Sequence, residues 1–193
     1  MRFTPNTVYH IYNRGNNKQR IFFSEANYLF FLRKLQNHIA QHCEILCWCL
    51  MPNHFHFMVY ATSKSCEEDY GSIKLKIQSL TYWIGIIQSS YVQAINKQNG
   101  TTGSLFQSKT KAKELPESDH IIRCLHYIHQ NPFKAQMVQK PGDWRFSSFL
   151  DYAGQRFGTL CNQSRLFDLT GYDKEAFLID SASDVSDTDL FYY

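Results

Sequence analysis

The chain has 193 residues, 44% hydrophobic, 16% aromatic and 19% charged, with nine glycines and five prolines. That size fits one folded domain with an appendage and excludes collagenous, low-complexity and disordered classes. The formal charge of +3 conceals an asymmetry: residues 165–193 hold seven acidic side chains against Arg165 and Lys174, leaving 18 basic and 10 acidic side chains in residues 1–164. A body of net +8 fits a polyanionic partner and a tail of net −5 does not.

Thr7 to Asn13 predicts a first strand, closed by the polar, basic stretch Arg14 to Arg20. Ser24 can cap a helix to about His42, with Leu29, Leu32, Leu35 and Ile39 as its buried stripe. Glu44–Leu50 and His54–Ala61 predict two strands joined at Met51-Pro52-Asn53. After an acidic loop, residues 73–97 carry Ile77, Leu80, Ile84 and Ile87 at helical spacing. Ser104–Leu115 reads as extended, with Lys109, Lys111 and Lys113 on one side by the two-residue period. Ser118 can cap a third helix, expected to end near Asn131 because Pro132 disfavours helical geometry before it. The order βαββαβα predicts an α+β, ferredoxin-like antiparallel sheet with helices on one face. The Ser- and Asp-rich stretch 181–187 predicts a flexible acidic tail, taken as residues 165–193 behind a domain of residues 1–164. If that tail lies over a basic groove, removing it should tighten nucleic-acid binding. No run approaches 18 uncharged apolar residues and no signal-peptide core follows Met1, so a cytoplasmic protein without a membrane partner is expected. The six cysteines lack paired CxxC spacing and read as reduced thiols, Cys47 and Cys49 as core.

Strand alternation puts His54 and His56 on one face of the third strand, roughly 6 to 7 Å apart, near enough for two imidazoles to share one divalent ion. Two half-exposed surface histidines are the plainer alternative. Tyr127 and Asn131, four apart in the third helix, lie about 40° from one another around its axis, at the edge of the stripe Ile121, Leu125 and Ile128. A tyrosine there packs at a boundary, or it meets the histidines. In the second case an ion held by two neutral imidazoles and an amide oxygen would polarise a phosphodiester that the tyrosine attacks.

Met51-Pro52-Asn53-His54-Phe55-His56, followed by Tyr127-Ile128-His129-Gln130-Asn131-Pro132, resembles the HUH-type single-tyrosine transposases, most closely the REP-associated tyrosine transposases. Asn13 to Asn17, Gly103 to Gln107 and Asp143 to Ser148 extend the resemblance over about residues 7–153. It implies nicking and rejoining of single-stranded DNA hairpins through a 5′-phosphotyrosine. Tyr127 would be the nucleophile, His54, His56 and Asn131 the metal ligands, and Mg²⁺ or Mn²⁺ the ion. Tyr91 and Tyr60 are the rival nucleophiles, and His120 and His129 read as ordinary helix residues. The alternative is a non-catalytic protein binding single-stranded DNA or RNA hairpins. On either reading the protein would act as a homodimer or a monomer. Phosphate contacts are expected from Arg14, Lys18, Arg20, Lys109, Lys111 and Lys113, and base-edge contacts from Asn13, Asn16, Asn17 and Gln19. Trp144 and Phe146 could stack a base, though pinning their segment to the core is the favoured role.

Overall fold

In a computed structural model describing residues 1–68, 70–72 and 75–183, β1 (Thr7–Arg14) runs antiparallel to β3 (His54–Ala61), which pairs with β2 (Cys43–Met51). The other edge of β1 takes β6 (Lys111–Leu115), so the sheet order is β2-β3-β1-β6. α1 (Glu25–Lys34) follows β1 and relaxes into a π-helical turn over Leu35–Ile39. Its N-terminus carries a capping box between Ser24 and Asn27. A small hairpin, β4 (Tyr70–Ser72) with β5 (Leu75–Ile77), precedes α2 (Ser79–Asn99). α3 (Ser118–Lys134) leads to the short helices α4 (Phe149–Tyr152), α5 (Gln163–Thr170) and α6 (Phe177–Asp180). The α+β class, the antiparallel sheet and the predicted order are all observed, with the small hairpin inserted.

The helices cover both faces of the sheet, a correction to the one-sided arrangement. Ile11, Ile45, Trp48, Leu50, Phe55, Phe57 and Val59 form one core with α1 and α2. Val8, Cys47, Cys49, Met51 and Met58 face the opposite way and form a second core with α3 to α6. The predicted alternation along β3 holds, but the face carrying His54, His56 and Met58 is roofed by α3 rather than left to water. A bulge in β2 lets Leu46 and Cys47 both enter the second layer before the alternation resumes.

Four boundaries and stripes also differ. α1 buries Tyr28, Phe31, Leu35 and Ile39, while Leu29 is exposed, because the aromatic edge outweighs the leucine edge in area removed from water. α2 starts at Ser79, since Ile77 lies in β5; Ile73 is outside the described residues. α3 runs through Pro132 to Lys134, because a proline in the last turn disturbs few of the bonds behind it. Finally, the described part of the expected tail is packed: Leu166 and Phe177 are buried in the second core, so the body extends beyond residue 164. Single large apolar side chains in an acidic stretch suffice to dock it. A truncation testing the acidic residues must therefore begin after Ser183, within residues 184–193, which lie outside the described residues.

Segment 144–158 is clipped to β2. Trp144 Nε1 donates to Leu50 O at 3.0 Å, and the Phe146 ring stacks on Tyr28 at 4.0 Å, which is the pinning role expected of both. Asp151, its side chain 3% exposed, receives two bonds from Arg156 at 2.7 and 2.8 Å and a third from Gly158 N. Asp151→Ala leaves the guanidinium without its carboxylate. The expected loss is about 2 to 3 kcal/mol, below the full cost for a buried pair because Arg156 is partly solvated, and it is read as a lower urea midpoint. All six cysteines are free thiols. Among the described residues no helix is long and apolar enough to cross a membrane.

Candidate active site at the histidine face of the sheet

β3 presents His54 and His56 on the face covered by α3, with ring centroids 4.9 Å apart and planes perpendicular. Both are buried, so the surface-histidine alternative fails. Burial, offset slightly by Asn131 and reinforced by Arg14, lowers the His54 pKa to about 4. Burial and the neighbouring His54, His10 and Arg14 hold His56 well below the usual imidazole range. Both rings are therefore neutral near pH 7, as lone-pair donors must be.

His54 is oriented by the residue before it. Asn53 Nδ2 donates to Lys18 O at 3.2 Å, and Asn53 Oδ1 lies 2.6 Å from His54 Nδ1. Since an amide oxygen only accepts, the single proton of the neutral ring sits on Nδ1, and Nε2 carries the lone pair. That Nε2 faces Asn131 Oδ1 at 3.4 Å, while Asn131 Nδ2 is committed to Tyr127 O at 2.8 Å. Two acceptors thus confront one another, an arrangement that a cation between them relieves. Their spacing is near the roughly 3 Å separating adjacent ligand atoms around an ion with bonds of about 2.1 Å at right angles. The residues present offer an N, N, O donor set, which fits a divalent ion that accepts imidazole nitrogen. Among the described residues no cluster of three His, Cys, Asp or Glu side chains could hold a metal, so any such site depends on the amide.

α3 brings Tyr127 to the same place. Its ring is edge-on to His56 at 5.7 Å and to His10 at 6.1 Å, and it is 4% exposed. The predicted pairing of Tyr127 with Asn131 on one helical face, and their meeting with the histidines, is what the geometry shows. Tyr91 is fully buried in the other core and donates to Ile21 O at 2.7 Å; Tyr60 donates to Asn6 at the far end of β3. His129 is buried against Ser148 at 2.8 Å, and His120 pairs with Glu117 at 3.6 Å.

His54 and His56 line a cleft of about 310 Å³ with four cations, Arg14, Lys18, Lys109 and Lys111. Lys113 faces His10 across the β1–β6 pairing, while the exposed Arg20 is not part of the cleft wall. Of the expected base readers, Asn17 is exposed, whereas Asn13 is buried with its Nδ2 held by Gln88, Gln107 O and Thr110. Asn13 therefore fastens loop to strand, while also lining the cleft beside the histidines. Asn16 and Gln19 likewise donate to Ser104 O and Leu105 O. These bonds join the two loops bordering the cleft. A turn-rich composition predicts exposure, and only the tertiary partners reveal the commitment. The loop closes because Gly15 has no Cβ: one would stand 2.1 Å from Gln19 O.

Sequence reasoning missed His10 and Asn53, which touch His56 and His54. Asn53 was visible as the neighbour of His54. His10 depends on the β1–β3 register, for which a single sequence carries no signal.

No family model and no curated protein matches the chain. The structure is similar to a solved protein described as a REP-associated tyrosine transposase bound to a REP hairpin. The TM-score is 0.66 at 16% identity, covering 100% of this chain and 94% of that one. The two share a fold. A bacterial tRNA(His) guanylyltransferase-like protein in complex with GTP aligns at a TM-score of only 0.40 and 9% identity, over 71% of this chain and 70% of that one.

Proposed function

We propose that this protein nicks and rejoins single-stranded hairpin DNA through a covalent 5′-phosphotyrosine, as a REP-associated tyrosine transposase. The observation carrying this reading is the meeting of Tyr127 and Asn131 with His54 and His56 at a cleft bordered by four cations. The resemblance of the two motifs and the fold shared with a hairpin-bound transposase support it.

In this reading Arg14, Lys18, Lys109 and Lys111 hold the phosphate backbone over the histidines. The Tyr127 phenol loses its proton and its oxygen attacks phosphorus; the bond from phosphorus to the 3′ oxygen breaks, and that oxygen leaves as a 3′-hydroxyl after taking a proton. Reversal, with a 3′-hydroxyl attacking the phosphotyrosine, rejoins strands without ATP. His54, His56 and Asn131 would hold Mg²⁺ or Mn²⁺, which supplies Lewis acidity at a non-bridging phosphate oxygen. Pro132 and the Asn131–Tyr127 bond keep nucleophile and amide on one rigid turn.

The test is to incubate the full chain with labelled single-stranded hairpins and Mn²⁺ or Mg²⁺ and to look for a protein–DNA adduct that survives denaturant. It should vanish with chelator and in the His54→Ala, His56→Ala double variant. One observation favours the second reading, a hairpin binder without chemistry: Tyr127 is only 4% exposed. Binding without any adduct on cognate hairpins would establish that reading instead. In either case Lys109→Ala with Lys111→Ala should weaken binding similarly for all hairpin sequences and lower the salt slope by about one for each phosphate left without its lysine, as measured by titration across ionic strength.

A further inference from the structure

The second cleft histidine, like the first, has its Nδ1 occupied. His10 Nε2 lies 2.8 Å from His56 Nδ1, on a diagonal of the β1–β3 pair in which His10 stands opposite Met58 and Tyr12 opposite His56. Both rings are buried, His10 at 1% and His56 at 0% exposure, with 18° between their planes. Tyr12 stacks on His10 at 4.8 Å, so the ring is held from a third side chain as well.

A neutral imidazole has one proton, and the direction of this hydrogen bond decides which His56 nitrogen keeps a lone pair. If His56 accepted at Nδ1, its proton would sit on Nε2 and the ring could offer nothing to an ion. If His56 donates from Nδ1, Nε2 is left bare, as in His54, whose Nδ1 proton goes to Asn53. We propose that His10 is the positioning residue of the cleft: its Nε2 accepts the His56 Nδ1 proton, fixing the tautomer and plane of His56 so that Nε2 is its ligand nitrogen. His10 and Asn53 then act as a matched pair from different segments, one on each histidine. Outer partners of this kind raise ligand basicity as well as orient it, and losing one typically costs 10- to 100-fold in metal affinity.

The inference rests on the reading of His54 and His56 as ion ligands, yet its first test needs no ion. Nitrogen-15 spectra of the histidines in the metal-free full chain should show His56 protonated at Nδ1 and bare at Nε2. His10→Leu should release His56 toward the Nε2-protonated form and weaken Mn²⁺ binding, followed by its electron paramagnetic resonance, by about 10- to 100-fold. His10→Gln, whose amide oxygen still accepts, should restore the wild-type tautomer and bring affinity back to within a few fold, which separates positioning from mere packing. A wild-type His56 protonated at Nε2 overturns the proposal even if neither variant folds. Unchanged tautomer and affinity in a folded His10→Leu overturn it too. A wild-type chain with the expected tautomer that binds no Mn²⁺ keeps the orientation by His10 and refutes the ion reading instead.

Discussion

Tyr127→Phe is expected to abolish the covalent protein–DNA adduct while hairpin affinity stays within about twofold. The substitution keeps the ring, its edge-on packing against His56 and His10 and its place in the second core, and removes only the hydroxyl. Removing a nucleophile costs on the order of 10⁴-fold or more in rate, whereas loss of one buried hydroxyl shifts stability by about 1 kcal/mol. The two effects are separable in one preparation by denaturing gel and by equilibrium binding. Of the other tyrosines among the described residues, Tyr12 also lines the cleft, its ring 5.9 Å from that of His56, so Tyr12→Phe is the companion control. Tyr91 points its hydroxyl at Ile21 O in the opposite core, and Tyr60 is bonded to Asn6. An adduct that persisted in Tyr127→Phe would refute the assignment of the nucleophile.

The metal-free chain should lose stability steeply between pH 6.5 and 4. His129, remote from the cleft and packed against Ser148, is held well below the ordinary imidazole range by burial, with His126 and Arg156 adding to it. His10 is lowered to about 3 by burial and Lys113, and His54 to about 4, chiefly by burial. In this window the unfolded chain binds protons at the ordinary imidazole value of about 6.5 and the folded chain does not, so the stability present above pH 6.5 drains away as pH falls. Each such histidine contributes a slope approaching about 1.4 kcal/mol per pH unit. By pH 5 His10 and His54 alone remove about 4 kcal/mol, a large share of the roughly 5 to 15 kcal/mol that holds a typical domain. Urea midpoints at pH 7.5, 6 and 5 in chelator, at fixed ionic strength, measure this directly. A midpoint flat across that range would contradict neutral burial of these rings.

The strands, the hairpin at Pro52-Asn53 and the pair of histidines were legible because period-two alternation and a turn dipeptide are local signals. The Tyr127–Asn131 pair was legible for the same reason, through helical spacing. What could not be read depends on partners distant in sequence. The roof over His54 and His56 comes from α3, whose apolar stripe says that it packs but not on which face of the sheet. The docking of 165–180 rests on Leu166 and Phe177, two apolar side chains in a segment whose dominant signal is negative charge. Asn13 looked outward by composition and is turned inward by loop 104–110, and Gln19, though exposed, is bonded to the same loop. The bond between His10 and His56 spans 46 positions and exists only once the register of β1 on β3 is set.

The two-sided sheet also imposes an order on biosynthesis. All of the first layer's helices, with β1, β2 and β3, are encoded before residue 100, whereas every helix of the second layer lies beyond residue 117. A nascent chain paused between those points has a nearly complete sheet whose Cys47, Cys49, Met51 and Met58 face is bare. Such a surface invites chaperone capture or premature strand pairing, since domains completed late in translation expose apolar faces meanwhile. The cluster of His54, His56, Tyr127 and Asn131 is therefore complete only once α3 has been made, and fragments released early would be sticky while lacking it.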